Sequence, residues 1–350
     1  MTNPYQGLPD AQFWRRSISA VEAHRIDPVV DVRVRIGAED RVGTAGSCFA
    51  QHISRRLSTL GLHYLVTEEG QDLSPEDTQA RQFGLFSARY GNIYTPVQFQ
   101  QLIEEALGRR QPLDQAWSRP GGGWVDPFRP TVEPGGFTTP GDVAQDRERH
   151  LAAVRRLVSE VDVLVFTLGL TEAWRSRRDG SVYPLAPGVA GGVYDENEHE
   201  FVNFSLPETE AAMAAALQAI KAANPRLRAI LTVSPVPLIA TFERRSVLVS
   251  TAYSKAVLRV AAESMKQRFD WVDYFPSYEI ITGPSTAGLY FEEDRREVSP
   301  LGVAHVMRIF ERHHVEGAAA APEAMPLSAA ETAAQAEIIC DEAMIDRVRA

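Results

Sequence analysis

The fold of this chain is constrained most by a short apolar run that meets a glycine turn and continues directly into an amphipathic helix. The run covers residues 41–45 and is followed by Gly46-Ser47-Cys48. The apolar residues of the helix recur on one side: Phe49, Ile53, Leu57 and Leu60. In open α/β sheets such a junction binds ligands, because the helix N-terminus offers unpaired N–H groups and a positive dipole end. The stretch therefore predicts a ligand site at the end of a first strand.

Further apolar runs alternate with helical patterns along the rest of the chain. The runs that we predict to be strands are residues 62–66, 161–168, 228–233 and 271–275. The alternation predicts βαβ units with right-handed crossovers. We expect an α/β, three-layer fold with about five parallel strands. The flavodoxin-like strand order 2-1-3-4-5 would make the carboxyl ends of the first and third strands neighbours.

Two irregular segments interrupt this alternation. Residues 111–142 are rich in proline, glycine and aromatic residues, and they are expected to form either a lid over the site or a surface insertion packed by its own side chains. The aromatic residues of the possible lid are Trp117, Trp124 and Phe128. Residues 174–204 are expected to form a hairpin beside the site, with its turn at Asp179-Gly180.

The two ends of the chain differ from its centre. Residues 1–40 are expected to form a lead-in of helix and extended chain that covers the sheet, and residues 41–316 form the main domain. Residues 317–350 are predicted to be an Ala/Pro-rich linker followed by a peripheral helix from about residue 328 to residue 349.

Composition excludes several classes of partner. A formal net charge of -10 argues against binding to nucleic acid or to an anionic membrane surface, since both need basic residues. No run approaches the ~20 apolar residues of a membrane-spanning helix. The two cysteines, Cys48 and Cys340, lie far apart in sequence and give no disulfide framework, which fits a reducing compartment. We therefore expect a cytoplasmic protein.

Metal and nucleotide motifs are absent from the sequence. It has no Cys-x-x-Cys, no His-Glu-x-x-His and no Walker loop, and the adjacent His313 and His314 would diverge on a helix. We predict no metal and no resident cofactor.

Several motifs resemble those of the GSCFA family, which is distantly similar to the SGNH/GDSL hydrolases. The first is Gly46-Ser47-Cys48-Phe49-Ala50. Others are Tyr90-Gly91-Asn92-Ile93-Tyr94-Thr95, Asp126-Pro127-Phe128-Arg129-Pro130, Thr167-Leu168-Gly169-Leu170-Thr171-Glu172-Ala173-Trp174, Ser234-Pro235-Val236-Pro237, Tyr253-Ser254-Lys255 and Tyr274-Phe275-Pro276-Ser277-Tyr278. The resemblance runs from about residue 43 to residue 310 and implies an SGNH-like fold of the flavodoxin-like order.

The nucleophile is predicted at the turn after the first strand. Cys48 stands where the similar hydrolases have their serine, and a thiol at a helix N-terminus should have a pKa below that of a free thiol. Ser47 is either a second nucleophile or the helix N-cap.

Candidate binding residues lie on the loops around this turn. The backbone N–H groups of Cys48 and Gly91 and the side chain of Asn92 are candidate donors to an oxyanion. The Gly169 to Thr171 block would face Cys48, with Thr171 at the position where the similar hydrolases have an asparagine donor.

Two charged residues are each predicted to have one of two roles, either substrate binding or a structural contact. Glu172 would hold substrate or brace the insertion that follows it. Arg129 would pair with an anionic substrate group or with a buried carboxylate.

The catalytic base is where the sequence departs from the similar hydrolases. Their Asp-x-x-His block is replaced by Asp294-Arg295-Arg296-Glu297, so Glu297 stands in the place of the histidine. His52 lies one helical turn after Cys48 and is the predicted proton carrier, with Asp294 and Glu297 as carboxylate partners. Glu297 itself and His305 are the alternatives.

Two function classes follow from these residues. The first is an ester hydrolase or acyltransferase that acts on a small acylated or carbohydrate-like substrate, with acyl-coenzyme A as a possible acyl donor. The alternative is a catalytically silent SGNH-like module that binds a ligand in the same crevice.

Overall fold

A four-stranded parallel sheet lies at the centre of the computed structural model, which describes residues 3–317 and 338–346 of the chain. The strands, in chain order, are β1 (Val42–Gly46), β2 (Trp117–Ser118), β3 (Trp124–Val125), β4 (Val163–Leu168), β5 (Glu172–Ser176), β6 (Val182–Tyr183), β7 (His199–Asn203), β8 (Arg228–Val233) and β9 (Val272–Tyr274). The central sheet has the order β1-β4-β8-β9, and every neighbouring pair is parallel.

The predicted strand at residues 62–66 is reduced to a single parallel bridge between Val42 and Tyr64. Val42 N–H still donates to His63 O (2.9 Å), on the outer edge of β1. The next amide on that edge, Thr44 N–H, donates instead to Ser87 Oγ (2.9 Å), so the ladder cannot continue. The bridge nevertheless lies where the order 2-1-3-4-5 places its edge strand.

Helices cover both faces of the sheet and make the fold a three-layer α/β structure. They are α1 (Ala50–Thr59), α2 (Pro75–Ala80), α3 (Pro96–Ala106), α4 (Pro140–Glu160), α5 (Leu206–Ala223), α6 (Val247–Arg268), α7 (Ser277–Thr282) and α8 (Pro300–His314). Alternate residues of β4 pack against the helices on opposite faces of the sheet. Leu164 and Phe166 pack with α3 to α6, whereas Val163 and Val165 pack with α1, α7 and α8. Burying each such side chain stabilises the fold by about 1.5–3 kcal/mol.

Within the described ranges, no helix combines the length and the apolar character that crossing a bilayer requires.

The two insertions pack against each other. The second forms a three-stranded antiparallel sheet of order β6-β5-β7, and its β5–β6 turn contains Asp179-Gly180 as predicted. The first contains the β2–β3 pair, and its Trp117 ring lies 4.6 Å from that of Tyr183 between ring centroids. The structure therefore supports a packed insertion rather than a lid, because Trp117 is buried in this contact.

The lead-in covers the sheet mainly through extended chain. Its helical content is limited to short turns at Asp10–Gln12, Arg15–Ser19 and Ala23–Arg25. Beyond them, Val34 and Ile36 are buried in the layer that contains α1 and α8.

The expected peripheral position of the C-terminal segment is wrong for its described part. Residues 338–346 pack against the domain, and Asp341 and Glu342 are only 3% and 7% exposed. Helix is present at Ala343–Asp346, whereas residues 328–337 and 347–349 of the predicted helix lie outside the described residues.

Replacing Gly46 with alanine should prevent stable folding. Gly46 has φ +132°, and an added Cβ would lie 2.3 Å from Thr167 O. We expect a loss of more than about 4 kcal/mol in the free energy of unfolding, measured by urea denaturation. Gly61→Ala is the matched control, since Gly61 also has a positive φ (+70°) but no atom within 4 Å of an added Cβ. That variant should lose about 1–2 kcal/mol. Equal losses in the two variants would contradict the steric argument.

Candidate functional site

The candidate site lies at the carboxyl ends of β1 and β4, where the sequence predicted it. Ser47 N–H donates to Thr167 O (3.1 Å), which joins the two strand ends. At Gly169, an added Cβ would lie 2.8 Å from Ser47 Cβ, so only glycine permits this approach. Cys48 follows in the first turn before α1, and its carbonyl accepts a hydrogen bond from Gln51 N–H (3.1 Å).

Cys340 of the C-terminal segment lies against Cys48. Both cysteines are free, and Cys48 is only 4% exposed. The Cys48 thiol donates to the Cys340 sulfur, and this contact together with burial raises the pKa of Cys48 well above its usual value. The expectation that the pKa of Cys48 is lowered is therefore wrong for this arrangement.

Cys340 carries the negative charge of the thiol pair. The hydrogen bond from Cys48 and the nearby Arg296 guanidinium lower the pKa of Cys340 to about 5, against the effect of burial. Arg296 Nη2 lies 3.4 Å from Cys340 Sγ.

Two further charged groups belong to the same buried cluster. Glu342 Oε2 lies 2.7 Å from Arg296 Nη2, and burial raises the pKa of Glu342 to about 8. Lys255 Nζ donates to Gly169 O (2.7 Å), and burial lowers the pKa of Lys255 to about 7. Both shifts reduce the number of charges that the interior must hold.

Two side-chain amides bind the main chain of the C-terminal segment. Gln51 Nε2 and Asn92 Nδ2 both donate to Ile339 O, at 2.7 and 3.1 Å. Gln51 Oε1 also accepts from Ile339 N–H (3.1 Å), so this buried side chain pairs with both polar groups of one residue. The predicted oxyanion donor Asn92 thus holds a carbonyl oxygen in the structure.

Asp341 is held on the other side of Cys340. It accepts hydrogen bonds from Asn92 Nδ2 (3.0 Å) and Thr131 Oγ1 (2.7 Å). Burial raises the pKa of Asp341 to about 6. The neighbours of Cys340 on both sides are therefore fixed by side chains of the main domain.

A cavity of about 180 Å³ leads to the two thiols. It is lined by Cys48, Phe49, His52, Val236, Glu292, Arg296, Glu297, Val298, Ile338 and Cys340. Ser47 is buried behind it, and its hydroxyl has no hydrogen-bond partner among the described residues and does not cap α1.

The predicted proton carrier His52 lies at the cavity but not in the thiol cluster. Its ring packs on Phe49, with ring centroids 5.4 Å apart. Burial and the nearby Arg55 lower the pKa of His52 to about 3, so the imidazole is neutral near pH 7. The alternative base His305 is bound to the Tyr290 hydroxyl (2.8 Å) and to Ile26 O (2.9 Å).

The carboxylates of the Asp294 block are exposed. Asp294 Oδ1 accepts from the backbone N–H groups of Arg296 (2.9 Å) and Glu297 (3.0 Å), so it shapes the turn that carries the guanidinium. Glu297 lines the cavity, and burial and then Asp294 raise the pKa of Glu297.

The remaining predicted binding residues have structural partners. Thr171 Oγ1 donates to Asn203 Oδ1 (2.7 Å), and Glu172 Oε1 accepts from Thr241 Oγ1 (2.8 Å). These contacts brace the second insertion. Gly91 forms a turn with φ +64°.

Arg129 pairs with buried carboxylates rather than with the crevice. Its guanidinium contacts Asp126 (2.8 Å) and Asp146 (2.9 Å). Of the two roles considered for Arg129, the buried ion pair is the one the structure shows.

Sequence reasoning missed Gln51, Lys255, Arg296 and Cys340. A signal existed for two of them. Lys255 lies in a motif shared with the resembled family, and Cys340 is the second of only two cysteines.

The GSCFA family model matches residues 41–310, well over half of the chain. The match includes the Cys48 turn, Lys255 and Arg296, whereas residues 338–346 lie outside it. No curated protein and no solved structure matches the chain.

Cys340 should be the faster thiol toward iodoacetamide in the full-length protein. Because its pKa is about 5, its alkylation rate should be nearly constant from about pH 6.5 to about pH 8.5, where a free thiol accelerates steeply. Arg296→Gln should raise the pKa and restore the pH dependence. Peptide mapping after partial labelling identifies the modified residue. Faster labelling of Cys48 than of Cys340 would contradict the assignment of the charge.

Proposed function

The chain belongs to the GSCFA family, and from this premise we propose that it catalyses acyl transfer, as an ester hydrolase or an acyltransferase, with Cys48 as nucleophile. One observation carries the proposal. The side-chain amides of Gln51 and Asn92 converge on a single carbonyl oxygen, that of the residue directly before the cysteine in contact with Cys48. A nucleophile next to two donors on one oxygen is the arrangement that acyl transfer needs.

The C-terminal segment must leave for this chemistry. Cys48 is buried while Cys340 covers it, and the contact with Cys340 is the largest cause of the raised pKa of Cys48. Removing that contact lowers the cost of forming the Cys48 thiolate. The described arrangement is then the resting form of the enzyme.

Attack would form a bond between the Cys48 sulfur and the acyl carbon. The carbonyl electron pair moves to the oxygen, where the amide donors of Gln51 and Asn92 stabilise it. When the oxygen electron pair re-forms the C=O double bond, the bond from the acyl carbon to the leaving group breaks. The departing alkoxide or thiolate then takes a proton. Water or an acceptor hydroxyl then attacks the acyl-cysteine and releases the sulfur.

Lys255 is a better proton carrier than His52 in this scheme. Its ammonium lies in the Cys48 cluster, and its pKa of about 7 suits proton exchange near neutral pH. The imidazole of His52, with a pKa of about 3, would hold a proton too weakly. Cys48 is favoured over Ser47 because Cys48 lines the cavity.

Small acylated molecules, including acylated carbohydrates, are the proposed substrates, and acyl-coenzyme A is a possible donor. A second candidate function is ligand binding without catalysis. It is supported by the contacts of the C-terminal segment, in which Gln51 pairs with both the N–H and the carbonyl of Ile339.

An acyl adduct on Cys48 tests the proposed chemistry. The test uses the Cys340→Ser protein, because the Cys340 thiolate would otherwise be acetylated first. After its incubation with p-nitrophenyl acetate or acetyl-coenzyme A, intact-mass measurement should show one added acetyl group, and peptide mapping should place it on Cys48. Adding Cys48→Ala should abolish the adduct and turnover, whereas adding Ser47→Ala should retain both. A Cys340→Ser protein that forms no adduct and does not turn over either donor would favour the binding module.

Removing the C-terminal segment should activate Cys48. A chain that ends at residue 337 loses the Cys340 contact, so we expect the alkylation rate of Cys48 at neutral pH to rise about tenfold or more. A chain that ends at residue 346 is the matched control, because it keeps residues 338–346. Thermal unfolding should confirm that both variants are folded. An unchanged rate in the shorter chain would show that the segment does not cover the nucleophile.

A further inference from the structure

We propose that Cys48 and Cys340 are a redox site at which a hydroperoxide forms a reversible disulfide between α1 and the C-terminal segment. The proposal does not depend on acyl transfer, because it requires only the two thiols and their surroundings. It gives the crevice a modification site in addition to its proposed catalytic use.

The pair is held together before any oxidation occurs. Both thiols are free, both line the same cavity, and the interaction with Cys340 is the largest cause of the raised pKa of Cys48. Ile339 is fixed by Gln51 and Asn92, and Asp341 by Asn92 and Thr131. Cys340 is thus held from both sides, which keeps the effective concentration of one thiol near the other high.

The two sulfurs have different environments, which suits them to successive steps. Both line the cavity of about 180 Å³, but Cys340 is partly exposed, whereas Cys48 is buried. Arg296 Nη2 lies 3.4 Å from the Cys340 sulfur and favours its thiolate. Redox-sensitive cysteines combine thiolate character, access and a neighbouring thiol.

Other charged groups around the pair do not remove this asymmetry. Glu342 contacts Arg296, and burial raises its pKa to about 8, so near pH 7 it carries little charge that would repel the thiolate. Lys255, on the other side, lies near Cys48 and donates to Gly169 O. Asp341 faces Asn92 and Thr131 instead.

The reaction needs one molecule of hydrogen peroxide for each disulfide. The Cys340 thiolate attacks one peroxide oxygen, the O–O bond breaks, and hydroxide leaves, which gives a sulfenic acid on Cys340. The Cys48 sulfur then attacks the sulfenic sulfur, the S–O bond breaks, and the departing hydroxide takes the Cys48 proton and leaves as water. Each sulfur loses one electron, and the two peroxide oxygens gain them.

The disulfide would fix the C-terminal segment over the crevice. It joins residues that are almost a whole chain length apart and blocks the sulfur of Cys48. Reduction by a dithiol would restore both thiols and allow the segment to leave. Peroxide would therefore protect Cys48 from further oxidation while the crevice is closed.

The full-length protein is tested with one equivalent of hydrogen peroxide at neutral pH. After unfolding in urea, N-ethylmaleimide should label no thiol, and the intact mass should be lower by two hydrogens. Dithiothreitol should restore two labelled thiols. Since the chain has only two cysteines, a monomer on a non-reducing gel identifies the Cys48–Cys340 bond.

Three variants distinguish disulfide formation at this site from general oxidation of thiols. Cys340→Ser should leave Cys48 labelled after the same treatment. Arg296→Gln should slow disulfide formation about tenfold, because the attacking thiolate loses its cation. Arg295→Gln is the matched control, since it makes the same charge change at the exposed neighbouring residue, and its rate should equal that of the wild type.

Three results would overturn the proposal. Both thiols could remain labelled in the folded protein, Cys340 could accumulate as sulfinic acid while Cys48 stays free, or the disulfide could form only between chains. None of these measurements uses an acyl substrate. A protein that forms the disulfide but no acyl adduct would therefore disprove the proposed function alone, and the reverse result would disprove the redox site alone.

Discussion

The close approach of β1 and β4 at their carboxyl ends is the constraint on which the site depends. Gly46 passes Thr167 at a distance that no side chain permits, and Gly169 does the same opposite Ser47. Because the two strand ends touch, the turn after β1 is forced outward and carries Cys48 into the crevice. The same contact positions the Gly169 carbonyl that accepts a hydrogen bond from Lys255. One backbone contact therefore positions the thiol and the carbonyl to which the buried amine donates.

Sequence patterns predicted the parts of the fold that depend on local order. The strand at Val163–Leu168 is a continuous apolar run because both of its faces are buried, and such a run is visible without the structure. A strand was predicted at residues 62–66, but the structure has only one bridge there. The reason is that the Ser87 hydroxyl accepts the hydrogen bond of Thr44 N–H. A periodic pattern in the sequence cannot reveal a competing hydrogen bond from another segment of the chain.

The same distinction between local and long-range signals applies to the residues of the site. Cys48 and Asn92 were found because a strand–turn–helix junction and a loop asparagine are local signals. Cys340 and Arg296 were not, since only the folded chain brings them to the turn.

His52 was selected because residues four apart share a helix face, yet burial beside Phe49 decides its protonation. For Cys48, a helix N-terminus offers about 0.3–1 kcal/mol, which burial and proton sharing with a second sulfur outweigh.

Side chains of the main domain hold the docked C-terminal segment over the crevice. Among the described residues, seven hydrogen bonds hold it: Gln51, Asn92 and Arg296 each form two, and Thr131 forms one.

Near pH 7, Glu342 adds little charge–charge attraction, because burial raises its pKa to about 8. The thiolate of Cys340 beside Arg296 is then the main charged contact that holds the segment. Because this contact depends on the state of one sulfur, the proposed release of the segment would be controlled by the chemistry of Cys340.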